Sequence, residues 1–286
     1  MPFDPLLVAL DVDGTVVDHD MVLTDRVRDA VRAVAAAGHH VVVATGRSLV
    51  SVQPVLAALG LDSGYLVTSN GAVTSRLDPA LPGGVEDVEV VTFDPAPAIA
   101  LLSAELPDAA FAVEVVGDDV LVAGPFPAGE LDGTLRTVEL AELTALAGAQ
   151  ATRVVVRSPE HTTQDFVELV GRVGLAGVNY AVGWTAWLDL APQGVTKASA
   201  LELVRTRLGV PPERTLAVGD GRNDVEMLRW AGRGVAMGQG PQEVHDAADE
   251  VTGTVAADGL ADVLEGLLAA PVGPGGPPGP ARPAAS

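Results

Sequence analysis

The chain has no cysteine, and aromatic residues make up only 3% of its 286 residues. The lack of cysteine excludes a disulfide framework and a zinc site built on thiolates. With so few aromatic rings, the interior must be filled by valine, leucine and alanine, and a hydrophobic content of 48% is sufficient for that. The length suits two compact modules better than one.

Positive charge is also scarce, since 17 lysines and arginines face 38 aspartates and glutamates and leave a net charge of −21 at pH 7. Phosphate backbones and anionic membrane surfaces repel such a chain, so we expect neither a nucleic acid nor a membrane as a partner. No apolar run approaches the length of a membrane span, and the segment 1–5 lacks the charged start of a signal peptide. We therefore expect a cytoplasmic protein, either a monomer or a homodimer.

Lysine is the rarest charged residue, because Lys197 is the only one in the sequence. Arginine is a planar fork, whereas lysine carries a compact ammonium on a flexible stem that can be aimed at a single oxygen. A lysine kept in a chain that otherwise uses arginine is a candidate for contacting a phosphate or a carboxylate. A surface lysine that survived by chance is the alternative.

Two aspartates, Asp11 and Asp13, follow directly after the apolar run 6–10. Such a run is typical of a strand buried on both faces, and open α/β sheets bind their ligands at the carboxyl ends of these strands. Two carboxylates in one pocket repel each other unless a cation neutralises them, and Gly14 lets the backbone turn sharply there. The pair therefore predicts a metal site.

Strand and helix signals alternate in the first and last parts of the chain. The segments 40–44, 65–68 and 215–218 are predicted to be further buried strands with helices between them. This alternation favours an α/β fold with a doubly wound parallel, Rossmann-like sheet. Prolines and glycines near residue 80, followed by shorter mixed elements, favour an inserted α+β domain. We assign 1–80 and 188–270 to a core domain, 81–187 to the inserted cap domain, and 271–286 to a disordered tail rich in proline and glycine.

Several polar segments should meet at the carboxyl edge of this sheet. Taken singly, each has a structural explanation: a Gly-Asp-Gly turn at Asp220, a helix cap at Thr45, or a helix N-terminal charge at Asp224. Together, the carboxylates suit Mg²⁺, while a hydroxyl and an ammonium suit the phosphoryl oxygens of a substrate. The candidate metal residues are Asp11, Asp13, Asp220 and Asp224, and the candidate catalytic residues are Asp11, Asp13, Thr45 and Lys197.

The order of these motifs resembles the haloacid dehalogenase (HAD) superfamily, in particular its Cof-like phosphatases with a large type IIB α+β cap, over residues 6–268. The resemblance implies that Asp11 is a nucleophile forming an aspartyl-phosphate and that Asp13 is the acid and base. It also implies that Mg²⁺ lies on the Asp11 and Asp220 carboxylates and the Asp13 backbone carbonyl. The matching motifs are Asp11-Val12-Asp13-Gly14-Thr15, Ala44-Thr45-Gly46-Arg47, Thr68-Ser69-Asn70-Gly71-Ala72, Lys197 and Gly219-Asp220-Gly221-Arg222-Asn223-Asp224.

Within this resemblance, Asp224 is expected to orient either Lys197 or a metal-bound water. Arg47 is a candidate for a second substrate group, with a surface salt bridge as the alternative. The chain departs from the family at Gln239-Gly240, where many relatives have Asn-Ala, and we expect this to affect a peripheral contact. The candidate substrate-binding residues are Thr45, Gly46, Arg47, Asn70, Lys197 and Asn223.

The expected function is that of a Mg²⁺-dependent phosphatase for a small phosphorylated metabolite, such as a sugar phosphate, a nucleotide or a phosphorylated cofactor. A phosphomutase-type isomerase is an alternative, because it would use the same aspartyl-phosphate but return the phosphoryl group to its substrate. A phosphate-sensing protein without turnover needs no acid or base, so the pair Asp11 and Asp13 argues against it.

Overall fold

A computed structural model describes residues 4–116, 120–127, 131, 134–146, 148–159, 161–173, 175, 177–182 and 187–269. The predicted disordered tail at 271–286 lies outside these residues. In chain order the elements are β1 (Leu7–Leu10), α1 (Asp25–Ala36), β2 (His40–Ala44), α2 (Leu49–Leu59), β3 (Gly64–Thr68), β4 (Val73–Leu77), β5 (Val85–Val90), α3 (Ala96–Glu105), β6 (Ala110–Val115), β7 (Val120–Ala123), β8 (Leu135–Thr137), α4 (Leu140–Thr144), β9 (Ala151–Arg157), α5 (Thr163–Val173), β10 (Val178–Val182), β11 (Trp187–Pro192), α6 (Lys197–Leu208), β12 (Thr215–Gly219), α7 (Val225–Trp230), β13 (Arg233–Ala236), α8 (Gln242–His245), β14 (Glu250–Val251) and α9 (Gly259–Ala269).

The larger sheet has the strand order β14-β13-β12-β1-β2-β3-β4-β5. The strands from β14 to β3 pair in parallel, and β4 and β5 extend the sheet in antiparallel fashion. All residues of β1 are buried, which agrees with the unbroken apolar run that predicted this strand. The prediction of an α/β fold with a parallel, Rossmann-like core is confirmed.

Helices cover both faces of the larger sheet. Val8 and Leu10 of β1 pack with residues of α1 and α9, while Leu7 and Ala9 pack with residues of α6 and α7. Successive side chains of a strand point to opposite faces, so a single apolar run supplies both layers of the core. Among the described residues, no helix combines the length and the apolar character that crossing a bilayer requires.

Capping residues set the helix ends near the sheet edge. Thr24 accepts a hydrogen bond from the N–H of Val27 at 3.2 Å and so begins α1. Gly60 ends α2 in the left-handed conformation with φ of 74°. Thr196 accepts from the N–H of Ser199 and begins α6. This cap makes Lys197 the first residue of a helix, at a defined point beside the sheet.

The smaller sheet has the strand order β10-β11-β9-β6-β7-β8. Its strands are antiparallel apart from the pair β7 and β8. Helices α3, α4 and α5 contribute Leu102, Leu143 and Leu169 to its core, where they surround the fully buried Phe111. This arrangement is of the α+β type expected for an inserted module.

The pairing of strands differs from the predicted chain division at two points. The prediction placed a linker near residue 80 and began the cap at 81, but β5 pairs with β4 in the larger sheet. Core residues were predicted to resume at 188, but β11 pairs with β9 and β10 in the smaller sheet as far as Pro192. Local patterns cannot assign a strand to a sheet, because that depends on which partner its backbone meets. The division into a core and a cap domain stays a prediction.

Gly71, which follows β3, lies close to the backbone of Thr196, which precedes α6. Its φ is 103°, and a Cβ there would meet the backbone carbonyl of Thr196. We expect Gly71→Ala to lower the free energy of unfolding by about 2 kcal/mol or more, because strained φ alone costs roughly 1–3 kcal/mol and the clash adds to it. Thermal denaturation measures the change.

The matched control is Gly84→Ala. Gly84 also has a positive φ, 76°, but a Cβ there would have no atom within 4 Å. It therefore carries the backbone cost without the clash. Equal melting temperatures for the two variants would contradict the importance of the contact at Thr196.

Candidate active site

Three carboxylates meet where β1 and β12 end. The two strands are parallel neighbours, and the N–H of Asp11 donates to the carbonyl of Val218 at 3.0 Å. Asp11 thus lies beside Asp220, which follows β12. One carboxylate oxygen from each of Asp11, Asp220 and Asp224 lies within 4.8 Å of the others. All three residues are buried, so the predicted convergence of Asp11 with the Gly-Asp-Gly segment is present in the structure.

The ammonium of Lys197 lies inside this cluster. Its Nζ donates to Oδ1 of Asp11 at 2.6 Å and to Oδ1 of Asp224 at 2.7 Å, and the side chain has no exposed surface. Burial on its own lowers the pKa of Lys197, but attraction from Asp11 and Asp224 outweighs it and holds the pKa above its usual value. The sole lysine is therefore a buried, charged group and not a surface residue.

Burial makes the acids of the cluster hard to ionise without a cation. It raises the pKa of Asp11 well above its ordinary value, and repulsion from Asp224 adds to this effect. It also raises the pKa of Asp220 to about 7, again with a contribution from Asp224. Attraction from one ammonium does not compensate three buried carboxylates, so the cluster favours an additional positive charge.

Asp224 is engaged on both oxygens. Oδ1 accepts from Lys197, and Oδ2 accepts from the backbone N–H groups of Asp220 at 3.0 Å and Gly221 at 2.9 Å. These bonds tie the turn after β12 to the lysine. Because both oxygens already accept hydrogen bonds, Asp224 is better placed to orient Lys197 and the turn than to bind a metal ion.

A second group of predicted residues comes together at the ends of β2 and β3. Thr45 is fully buried, and its hydroxyl accepts from the N–H of Arg47 at 3.1 Å. Gly46 brings the backbone next to the Asn70 amide, because a Cβ there would lie 3.1 Å from Oδ1 of Asn70. Asn70 has φ of 54° and accepts at Oδ1 from Nδ2 of Asn223 at 3.0 Å. This bond connects the strand end of β3 to the turn after β12.

Asp13 and Arg47 differ from their predicted placement. The carboxylate of Asp13 lies outside the buried cluster, with its side chain 52% exposed. Its oxygens accept from Nε of Arg47 at 2.9 Å and from a terminal nitrogen of Arg47 at 2.5 Å. Arg47 thus forms an ion pair with a candidate catalytic acid, and its contact with a substrate stays a prediction. In an extended strand, residues two apart would point to the same side, but β1 ends at Leu10 and the chain turns at Gly14, where φ is 82°. Asp13 therefore does not share the pocket of Asp11 as the spacing suggested.

Gln239 was expected to make only a peripheral contact, but it lies within the site. Its Nε2 donates to the carbonyl of Gly14 at 2.5 Å and to Oδ2 of Asp220 at 3.2 Å, while its Oε1 accepts from the N–H of Val255 at 3.0 Å. The amide therefore joins the first aspartate motif to the carboxylate of Asp220, and its contact is central rather than peripheral. Its departure from the family pattern was the signal that could have identified it.

A cavity of about 420 Å³ opens beside Lys197. One wall comes from the larger sheet's edge and includes Asn70 and Asn223. The other wall comes from β10 and β11 of the smaller sheet and includes Tyr180 and Asp189. The cluster thus has a neighbouring space in which a small molecule could be held between the two sheets.

The sequence matches the family of haloacid dehalogenase-like hydrolases over residues 8–80 and 142–264. It is 30% identical over 261 residues to the phosphoglycolate phosphatase of Natronomonas pharaonis, covering 90% of this chain and 96% of that protein. It is 27% identical over 275 residues to the 5-amino-6-(5-phospho-D-ribitylamino)uracil phosphatase YitU of Bacillus subtilis, covering 93% and 98%. The fold is similar to that of the HAD subclass IIB sugar phosphatase BT4131, with a TM-score of 0.76, 22% identity and coverage of 92% of this chain and 98% of that one.

Removing the buried ammonium should unpair two acids. We expect Lys197→Met to lower the free energy of unfolding by about 3–5 kcal/mol at neutral pH in the metal-free protein, because it leaves Asp11 and Asp224 without their cation. The loss should shrink at low pH, because the carboxyl of Asp11, whose pKa burial raises, is then protonated and needs no cation. Chemical denaturation at two pH values measures the difference.

Lys197→Arg is the companion variant, since it keeps the charge but places a larger planar group in a site without exposed surface. We expect it also to destabilise the protein, although less than Lys197→Met. Unchanged stability in both variants would show that the ammonium does not support the cluster.

Proposed function

Since the chain belongs to the haloacid dehalogenase-like hydrolases, as a Cof-like phosphatase with a type IIB cap, we propose that it hydrolyses small phosphorylated metabolites in a Mg²⁺-dependent reaction with Asp11 as the nucleophile. The observation that carries the proposal is the buried carboxylate cluster around Lys197 at the end of β1 and β12. Phosphoryl transfer needs this combination of a placed nucleophile and fixed positive charge.

The donor set fits a hard divalent cation. Oxygen ligands from a few carboxylates suit Mg²⁺, which keeps some waters and also binds substrate phosphate. Asp11 and Asp220 would hold the ion, together with the backbone carbonyl of Asp13, whereas Asp224 would orient Lys197 because its own oxygens are occupied. When bound, Mg²⁺ would reduce the repulsion between the Asp11 carboxylate and an anionic phosphate.

Asp11 and Asp13 divide the work between a nucleophile and an acid. A carboxylate oxygen of Asp11 forms a bond to phosphorus while the bond from phosphorus to the leaving oxygen breaks, and Asp13 gives that oxygen a proton. A water then forms a bond to phosphorus and gives its proton to Asp13, and the bond to Asp11 breaks. The products are an alcohol and inorganic phosphate. For this role Asp13 exchanges its contact with Arg47 for the leaving oxygen.

The remaining polar groups stabilise the transferring phosphoryl. Lys197 supplies a fixed positive charge, and the Thr45 hydroxyl, which already accepts from Arg47, keeps a proton to donate to a phosphoryl oxygen. Asn70 and Asn223, joined by their hydrogen bond, border the space where the leaving group would lie. A cytoplasmic location and the choice between a monomer and a homodimer stay predictions.

The first test is Asp11→Asn, which removes the nucleophile but keeps the shape of the side chain. We expect no measurable hydrolysis of an aryl phosphate with Mg²⁺, whereas circular dichroism should show an intact fold. The control is Asp29→Asn, since Asp29 is an exposed residue of α1 that pairs with Arg28. Turnover at the parent rate in Asp11→Asn would rule out the assigned nucleophile.

The second test uses the pH dependence of stability. A carboxylate whose pKa is higher in the folded than in the unfolded state destabilises the fold once it is ionised. Asp220, with a pKa raised to about 7 from 3.8, should therefore make the metal-free protein less stable as pH rises from about 4 through about 7. Mg²⁺ competes with protons for these oxygens, so it should raise the melting temperature more at about pH 8 than at about pH 5.5.

Thermal unfolding in chelator and in excess Mg²⁺ measures this difference at both pH values. Asp220→Asn should lose most of the Mg²⁺-dependent shift, because it removes a proposed ligand. A Mg²⁺ shift of equal size at the two pH values would contradict the link between the raised pKa of Asp220 and the metal.

A further inference from the structure

The cavity beside Lys197 is acidic beyond the catalytic cluster. Among the described residues that line it, the carboxylates are Asp189, Glu226 and Glu243, and the cations are Lys197 and Arg222. The cavity volume of about 420 Å³ is large enough for the alcohol part of a small phosphate ester. The charges on these walls therefore act on the leaving group rather than on the phosphate.

Both cations of the cavity are already compensated. Lys197 is buried between Asp11 and Asp224. Arg222 forms an ion pair through its Nε with the carboxylate of Glu243. The next cation along the edge, Arg47, pairs with Asp13 and does not line this cavity. A second anion on the substrate would have to compete with these carboxylates for a partner.

On the side of the smaller sheet, acidic side chains outnumber the basic side chains that pair with them. Asp189 is paired with Arg153 at 2.7 Å, but Arg153 is also shared with Glu114 at 3.2 Å. One guanidinium thus serves two acids. Glu226 adds a further negative charge on the wall formed by α7. The carboxylates of Asp11, Asp220 and Asp224, where a divalent cation would bind, are not among the residues that line the cavity.

We propose that this cavity selects phosphate esters whose leaving alcohol carries no negative charge, and that it discriminates against esters with a second carboxylate or phosphate. The inference rests on the proposed phosphatase function and narrows its substrate class. Carboxylate oxygens accept strong hydrogen bonds from hydroxyl and amine donors, so the same walls favour polyols, sugars and nucleosides as leaving groups.

The two relatives described above fall on opposite sides of this division. Phosphoglycolate carries a carboxylate next to its phosphate ester, whereas a ribityl chain on an aminouracil is neutral and rich in hydroxyl groups. The charges of the cavity in this chain favour a substrate of the neutral kind, rich in hydroxyl groups, over one that carries a carboxylate. A bisphosphate, as a phosphomutase would require, also meets unfavourable charge in the cavity.

The test compares two open-chain esters that differ in one charge: glucitol 6-phosphate ends in a hydroxymethyl group, and 6-phosphogluconate ends in a carboxylate. With saturating Mg²⁺ at low ionic strength, we expect kcat/KM to be at least about tenfold higher for glucitol 6-phosphate, since one uncompensated charge at several Å is sufficient for such a ratio. Added salt should reduce the ratio by screening.

Glu243→Gln identifies the source of the selectivity. It removes one carboxylate and frees Arg222 from its partner, so the ratio of the two kcat/KM values should fall several-fold. The matched control is Glu86→Gln, because Glu86 is an exposed acid paired with Arg76 on the antiparallel edge of the larger sheet and does not line the cavity. Its ratio should equal that of the parent protein.

The outcomes separate the two proposals. Hydrolysis of an aryl phosphate combined with equal kcat/KM for the two sugar esters would overturn the charge selectivity but leave the phosphatase proposal intact. A ratio that Glu243→Gln and Glu86→Gln change to the same extent would also overturn it. Failure to hydrolyse any ester, including the aryl phosphate, would overturn the proposed function and the inference that rests on it.

Discussion

The ion pairs of Lys197 with Asp11 and Asp224 are the interaction on which the site depends. Their distances are 2.6 and 2.7 Å, and the lysine side chain has no exposed surface. Buried carboxylates at such short range repel each other strongly because the surroundings screen them poorly. One ammonium, placed by the N-terminus of α6, offsets part of the repulsion between Asp11 and Asp224, although burial still holds the pKa of Asp11 above its ordinary value. Removing it would leave unpaired charge in the core.

The topology explains how distant segments reach this ammonium. Asp11 and Asp220 end neighbouring parallel strands, whereas Lys197 follows the excursion of the chain through the smaller sheet. The position of Lys197 therefore depends on how β11 leads the chain back to the larger sheet. Close backbone contacts secure this return, including the approach of Gly71 to the carbonyl of Thr196. The same return places β10 and β11 over the site as one wall of the cavity.

The groups proposed to act on the phosphate and those proposed to select the leaving alcohol lie on different parts of the chain. The groups proposed to act on phosphorus belong to the larger sheet and α6, where strands and short turns hold them with little freedom. The groups that line the cavity, such as Asp189, come partly from the smaller sheet. Substrate preference can thus depend on side chains that make no contact with the phosphate. The negative charge of this region comes from Glu226 and from the sharing of Arg153 between Asp189 and Glu114.

Local patterns in the sequence predicted the α/β core and most strand and helix positions. They also predicted that Asp11, Lys197 and Asp220 come together. Apolar runs and strand ends are sufficient for this, because each has a known geometry in an α/β sheet. The sequence did not reveal that β4 and β5 extend the larger sheet, that Asp13 turns to Arg47, or that Gln239 contacts Asp220. Tertiary structure alone decided these, since each depends on which distant backbone or side chain a residue meets. Pairing across long sequence separations follows from the packing of the whole chain, which no local pattern encodes.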